Sequence, residues 1–80
     1  MQLDIYRRDE PGHKISYLAV PAGKPIPAEA VNVDWQVEAR ARELDEDRAR
    51  FDDYAIDTPG AQLREKGYAI TSVEQQLQAS

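Results

Sequence analysis

The 80-residue sequence contains no cysteine and a single histidine. Without cysteine the chain can form no disulfide, offers no thiolate to a metal and has no thiol nucleophile. It also lacks an apolar run of about 18 residues, the length that a membrane-spanning helix requires. Its first residues do not show the basic and then apolar profile of a signal peptide. We therefore expect a cytoplasmic protein that does not contact a membrane.

Basic residues are in the minority. Ten Lys and Arg stand against fifteen Asp and Glu, for a formal net charge of −5. Proteins that bind nucleic acids present basic surfaces because they neutralise phosphates, so we expect no nucleic-acid partner. A length of 80 residues predicts a single domain over 1–80, with a small hydrophobic core.

Two alternating segments at the start of the chain predict a β-hairpin. Residues 2–8 and 15–20 read as strands, and Pro11-Gly12 between them has the residue types of a tight turn. A turn centred on this pair places Ile5 opposite Leu18. This register assigns one face to the core, with Leu3, Ile5, Leu18 and Val20. It assigns the opposite face to Tyr6, Arg8, Ile15, Tyr17 and Ala19.

The segment from Val33 to Arg42 is ambiguous. Apolar and polar residues alternate strictly along it, which favours a strand over about 33–42. The helical spacing of Val33, Val37 and Ala41, and the helix-favouring Ala, Glu and Arg, support a rival reading. A strand followed by a loop and a long helix over 33–51 are therefore both open. Residues 43–53 contain six acidic side chains and are predicted to form an acidic mobile loop.

The last part of the chain predicts one helix and one strand. Thr58-Pro59 has the residues of an N-cap and first helical position, and Gly67 those of a helix stop, which frames a helix at about 59–66. Residues 68–72 read as a strand, and 73–80 as a frayed tail or short helix. Together these elements predict an α+β fold, with a small, mostly antiparallel sheet and a short helix. The predicted core consists of Leu3, Ile5, Leu18, Val20, Val33 or Trp35, Val37, Leu63 and Ile70.

Motifs that carry chemistry are missing. His13 falls in a predicted surface turn, which cannot exclude water from a catalytic group. Asp45-x-Asp47 begins like a calcium-binding loop, but Ala49 and Arg50 occupy the positions of the next ligand and of the turn glycine. We therefore predict no catalytic, cofactor-binding or metal-binding residues and no cofactor.

Three segments carry a resemblance to known families. The strand 4–8 (DIYRR), the strand 16–21 (SYLAVP) and the segment 65–72 (EKGYAITS) resemble a family of short uncharacterised bacterial proteins, over about residues 3–73. More distantly, the three strands are similar to the YcgL-like domain, which is also small and α+β. Neither resemblance implies an activity, a cofactor or catalytic residues.

The absence of catalytic motifs and the apolar second face of the hairpin suggest a small, non-enzymatic protein-interaction domain. Tyrosine suits a binding surface because its ring buries apolar area while its hydroxyl finds a polar partner. The predicted interaction surface consists of Tyr6, Arg8, Ile15, Tyr17 and Ala19, and its partner is another protein or a second copy of the chain. The alternative is a small-ligand binder or minor enzyme that uses carboxylates near Asp52–Asp57 with Arg7 or Arg8.

Overall fold

A computed structural model of the chain describes residues 1–30, 34–72 and 77–78. The strands are β1 (Gln2–Glu10), β2 (Lys14–Pro21), β3 (Gln36–Glu43), β4 (Arg50–Phe51), β5 (Ile56–Asp57), β6 (Ala69–Ile70) and β7 (Leu77–Gln78). The helix α1 spans Pro59–Lys66, and single 3-10 turns lie at Ala28–Ala30 and Asp52–Tyr54. The predicted α+β fold is confirmed.

The main sheet is antiparallel and is built around the N-terminal hairpin. Its strand order is β3-β1-β2-β6, and β7 also pairs with β2. The strands β4 and β5 form a separate two-stranded ribbon. The hairpin strands β1 and β2 therefore lie in the middle of the sheet, where both of their faces can be covered.

The register of the hairpin differs from the prediction by one residue. Tyr6 lies opposite Leu18, and the last pair before the turn is Glu10 with Lys14. The turn therefore contains three residues, Pro11 to His13, and both Gly12 and His13 have positive φ angles (77° and 60°). A shift of one residue moves every side chain of one strand to the other face. The predicted pairing, and the two faces derived from it, are wrong.

Both faces of the hairpin are buried in the structure. We call front face the one whose buried cluster is Leu3, Ile5, Ile15, Tyr17, Ala19, Phe51, Tyr54, Ile56 and Ala69. We call back face the one whose buried cluster is Tyr6, Leu18, Val20, Ala30 and Tyr68. The ribbon β4–β5 and the side chain of Leu63 from α1 cover the front face, and the segment around Ala30 covers part of the back face.

The strand predicted over about 33–42 is confirmed as β3, which spans Gln36–Glu43. The alternative of a long helix over 33–51 is wrong. Val37, however, is 51% exposed, so its assignment to the core is wrong. The cause is the position of β3 at the edge of the sheet, where its pairing with β1 shifts register twice. Trp35 packs partly buried on the back face, and Val33 lies outside the described residues.

Helix α1 has the predicted bounds. It follows Thr58 at the N-cap, although the Thr58 side chain makes no capping hydrogen bond, and it ends at Gly67, whose φ is 83°. The side chain of Gln62 joins the helix to the strands on either side of it. Its Nε2 donates to the carbonyl of Asp57 at 2.6 Å, and its Oε1 accepts from the N–H of Ile70 at 3.0 Å.

Several other predicted segments have different bounds. The strand predicted over 68–72 is reduced to Ala69–Ile70, and Leu63 and Ile70 are only partly buried beside the core. Residues 43–53 include the end of β3 and all of β4, and their mobility stays a prediction. Of the frayed tail or short helix predicted over 73–80, residues 73–76 and 79–80 lie outside the described part of the chain, and 77–78 form β7. No helix in the described part of the chain combines the length and apolar character needed to cross a bilayer.

Leu18 offers a test of the back-face core, because its side chain is fully buried. We expect Leu18→Ala to lower the free energy of unfolding by about 2–4 kcal/mol, through lost apolar contact and the cavity left behind. Val37→Ala, at the exposed edge, serves as the control and should cost about 0.5 kcal/mol or less. Urea denaturation measures both values, and equal effects would contradict the core described here.

Candidate interaction surface

Asp4 is a buried carboxylate in the middle of β1, only 3% exposed. Its Oδ1 accepts the backbone N–H of Ala41 at 2.8 Å, and its Oδ2 accepts that of Gly23 at 3.1 Å. The Arg40 guanidinium lies 3.4 Å from the same Oδ2. These two backbone hydrogen bonds, and then the charge of Arg40, lower the pKa of Asp4. One charged side chain therefore ties both β3 and the turn after β2 to β1.

The bond to Ala41 coincides with an irregularity in β3. Leu3 pairs with Arg42 and Ile5 pairs with Ala39, so the strand carries an extra residue opposite Asp4. Ala41 itself has a φ of 50°, in the left-handed region. A regular strand would place Arg40 and Arg42 on one face. Here they reach opposite faces: Arg40 approaches Tyr6 on the back face, and Arg42 approaches Tyr54 on the front face.

On the back face, Tyr6 lies near three residues from the segment 35–40, which contains the first part of the edge strand β3. The Arg40 Nη1 donates to the Tyr6 hydroxyl at 3.2 Å, and its guanidinium carbon lies 5.6 Å from the ring centroid. Val37 is the residue of β3 opposite Tyr6. Trp35 packs on the same cluster, with its Nε1 donating to the Ala30 carbonyl at 2.8 Å. We call these four residues, Tyr6, Trp35, Val37 and Arg40, the Tyr6 patch.

On the front face, two tyrosines are built into the core. The rings of Tyr17 and Tyr54 meet edge to face, with centroids 5.1 Å apart. The Thr71 hydroxyl accepts the Tyr17 N–H at 3.0 Å and donates to the Tyr54 carbonyl at 2.7 Å. Burial raises the pKa of both tyrosines. Arg42 of β3 lies over the Tyr54 ring and donates to its hydroxyl.

The structure divides the predicted interaction surface between the two faces. Of its five residues, Tyr6 and Arg8 belong to the back face, while the other three, Ile15, Tyr17 and Ala19, belong to the front face. The four apolar members are each no more than 9% exposed. The five residues therefore do not share one face, because the three-residue turn shifts the register, and their role in binding stays a prediction. Arg8 lies 3.3 Å from the Glu10 carboxylate, and Tyr6 alone belongs to the patch defined above.

The carboxylates of the alternative prediction have other partners. Asp52, Asp53 and Asp57 form ion pairs with Arg48, Arg42 and Arg50, at 4.0, 3.6 and 3.3 Å respectively. Arg7 instead pairs with Asp9 at 3.3 Å, as Arg8 does with Glu10. The predicted combination of these carboxylates with Arg7 or Arg8 is thus not the one that the structure forms. An open cavity of about 280 Å³ lies beside Phe51 and Tyr54, with Arg48 and Arg50 on its wall.

The acidic turn and the histidine have local explanations. The carboxylates of Asp45, Glu46 and Asp47 lie within 4.8 Å of one another. Asp45 Oδ1 accepts the backbone N–H of Asp47 at 3.0 Å, which is the geometry of an ordinary Asx turn. His13 is exposed in the hairpin turn, with a φ of 60°. Asp45 and His13 thus both lie in turns, and Glu46 lies 3.5 Å from the N-terminal ammonium group of Met1.

The alternation predicts Val37, and either Val33 or Trp35, in the core, and it gives no role to Arg40. The alternation that identified the strand assumes a constant period of two, and a bulge breaks that period without a mark in the sequence. Asp4 is the one available signal. An acidic residue between Leu3 and Ile5 is costly to bury if the strand is covered on both faces, and it then requires N–H groups or a cation beside it.

Asp4 should make stability depend on pH. The pKa of Asp4 is lower in the folded protein than the value of about 3.9 in the unfolded chain. Its stabilisation of the fold is therefore complete above the unfolded pKa and is lost as the pH falls through the folded pKa. At pH 7 we expect Asp4→Asn to reduce the free energy of unfolding by about 2 kcal/mol, because a neutral amide accepts these hydrogen bonds more weakly than the carboxylate does. The difference between the two proteins should shrink from pH 5 to pH 2, as measured by urea denaturation. A difference that is constant over this range would contradict the assignment.

Comparisons with known proteins give one match. The sequence model of a family of unknown function (DUF6139) matches residues 1–77. No curated protein and no solved structure matches the chain. The match agrees with the resemblance to an uncharacterised family, whereas bacterial origin and similarity to the YcgL-like domain stay predictions. Because the match spans nearly all of the 80 residues, the chain belongs to the DUF6139 family.

Proposed function

We propose that the protein is a small, non-enzymatic, cytoplasmic protein-interaction domain whose contact surface is the Tyr6 patch. The observation that carries the proposal is the 51% exposure of Val37 next to Trp35 and Arg40. Met1 is the one other large apolar residue that is markedly exposed in the described part of the chain. Trp, Tyr and Arg are the residues that contribute most to binding at protein interfaces.

The patch is also held in place before any partner arrives. Arg40 is fixed by Asp4 and by the Tyr6 hydroxyl, yet its side chain is 62% exposed. Trp35 is fixed by its bond to the Ala30 carbonyl. Groups that are ordered in the free protein lose less conformational entropy on binding. The chemistry of the patch fits a partner that offers an apolar side chain to Val37 and a carboxylate to Arg40.

A small-ligand function is the second candidate. Its support is the cavity of about 280 Å³ beside Phe51 and Tyr54, whose wall carries Arg48 and Arg50 together with the carboxylates of Glu43, Asp45, Asp52 and Asp53. A free amino acid, whose ammonium and carboxylate groups can meet both kinds of charge, would favour this candidate if it raised the melting temperature of the wild type but not of Arg48→Ala. Arg48 is mostly exposed, so its loss should leave the fold intact.

The interaction hypothesis can be tested by placing a photo-crosslinking amino acid at position 37 in the living cell. We expect covalent adducts of discrete mass at position 37 and none at Asp47, an exposed control position in the acidic turn. The adducts are identified by mass spectrometry, and the partner is then purified for binding measurements.

The binding measurement uses a matched pair of variants. Val37→Ser should weaken binding of the purified partner at least tenfold, about 1.4 kcal/mol, without changing the unfolding midpoint. Gln36→Ser is the control, because Gln36 is also exposed but pairs with Arg7 on β1, one position from Tyr6. It should leave the affinity unchanged. An absence of adducts at position 37, or equal affinities for wild type and Val37→Ser, would refute the proposal.

A further inference from the structure

Among the residues that the structure describes, the outer edge of β3 has no strand partner. Within residues 1–30, 34–72 and 77–78, this eight-residue strand pairs with β1 alone. An edge strand of this length exposes backbone N–H and C=O groups, which can accept a strand from another chain and lead to aggregation. Folded proteins that stay dispersed protect such edges with bulges or with charges that point inward.

The edge of β3 is protected by bulges, and a buried charge of the neighbouring strand β1 holds the first of them. Its pairing with β1 shifts register between Leu3 and Ile5 and again between Ile5 and Tyr6. At the first shift, Ala41 is in the left-handed conformation and turns its N–H to the Asp4 carboxylate. A strand bent in this way cannot present the regular row of donors and acceptors that an added strand needs.

The cause of the distortion lies in β1 rather than in β3. Residues 36–43 contain no glycine or proline, and alanine enters the left-handed region only against a steric penalty. Something outside β3 must therefore hold Ala41 there. The Asp4 carboxylate does so through the 2.8 Å bond to Ala41, while Gly23 and Arg40 hold the carboxylate in turn.

We propose that Asp4 is a clamp that keeps β3 bulged and thereby prevents its outer edge from pairing with a strand of another copy of the chain. The clamp acts on the backbone edge of β3, whereas the contact surface proposed above uses side chains of the back face; the two have Arg40 in common, because Asp4 also holds its guanidinium. Removing the clamp lets β3 straighten into a regular strand, and the straightened edges of two copies then pair.

The test replaces Asp4 by an apolar side chain that suits a strand. In sedimentation velocity, we expect Asp4→Val to self-associate at least tenfold more tightly than the wild type. The amide hydrogens of β3 should exchange more slowly in the associated form. Asp9→Val makes the same chemical change on the same strand at a mostly exposed side chain, and it should not associate more than the wild type.

A second pair of variants tests the bulge without touching Asp4. Ala41→Ile should favour association, because a β-branched residue strongly disfavours a positive φ. Ala41→Gly should associate no more than the wild type, because glycine adopts a positive φ freely and the bulge is kept. This pair decides the question if Asp4→Val does not fold. The proposal is overturned if folded Asp4→Val or Ala41→Ile associates no more than the wild type, or if their β3 amides exchange as before.

Discussion

The structure depends on how one buried negative charge is satisfied. Asp4 lies inside a strand whose neighbours Leu3 and Ile5 are fully buried. A carboxylate is stable there only if donors surround it. The turn after β2 supplies one through Gly23, and β3 supplies two through Ala41 and Arg40. The bulge in β3, and the side chains that it exposes, follow from this requirement.

A small sheet covered on both faces leaves few residues to enclose a deep pocket, and the cavity beside Phe51 and Tyr54 is open. The front face is covered by the short ribbon β4–β5 and one side chain of α1, and the back face is partly covered by the segment around Ala30. On each face an arginine of β3 also lies over an aromatic ring: Arg42 over Tyr54 on the front face and Arg40 over Tyr6 on the back face. Long charged side chains can do this because their stems pack on apolar surface while the guanidinium stays in water.

The same arrangement explains why the Tyr6 patch could not be predicted. Strand alternation predicts which side chains share a face, and it was reliable enough to identify β3. It could not show that Arg40 and Arg42 point to opposite faces, because that depends on the conformation of a single residue, Ala41. Nor could it show that Val37 is exposed, since an edge strand and a central strand can have the same pattern.

The sequence by itself determined the main elements, namely the two hairpin strands, β3, β6 and the helix, and it determined the bounds of the helix. Local signals are sufficient for this: Pro59 and Gly67 frame the helix, and alternation marks the strands. Only the tertiary structure decided the register of the hairpin, the faces of the sheet and the position of the exposed side chains. Register depends on one additional residue in a turn, and the bulge depends on a hydrogen bond between residues 4 and 41. Such contacts join distant parts of the chain, so no local pattern of residues specifies them.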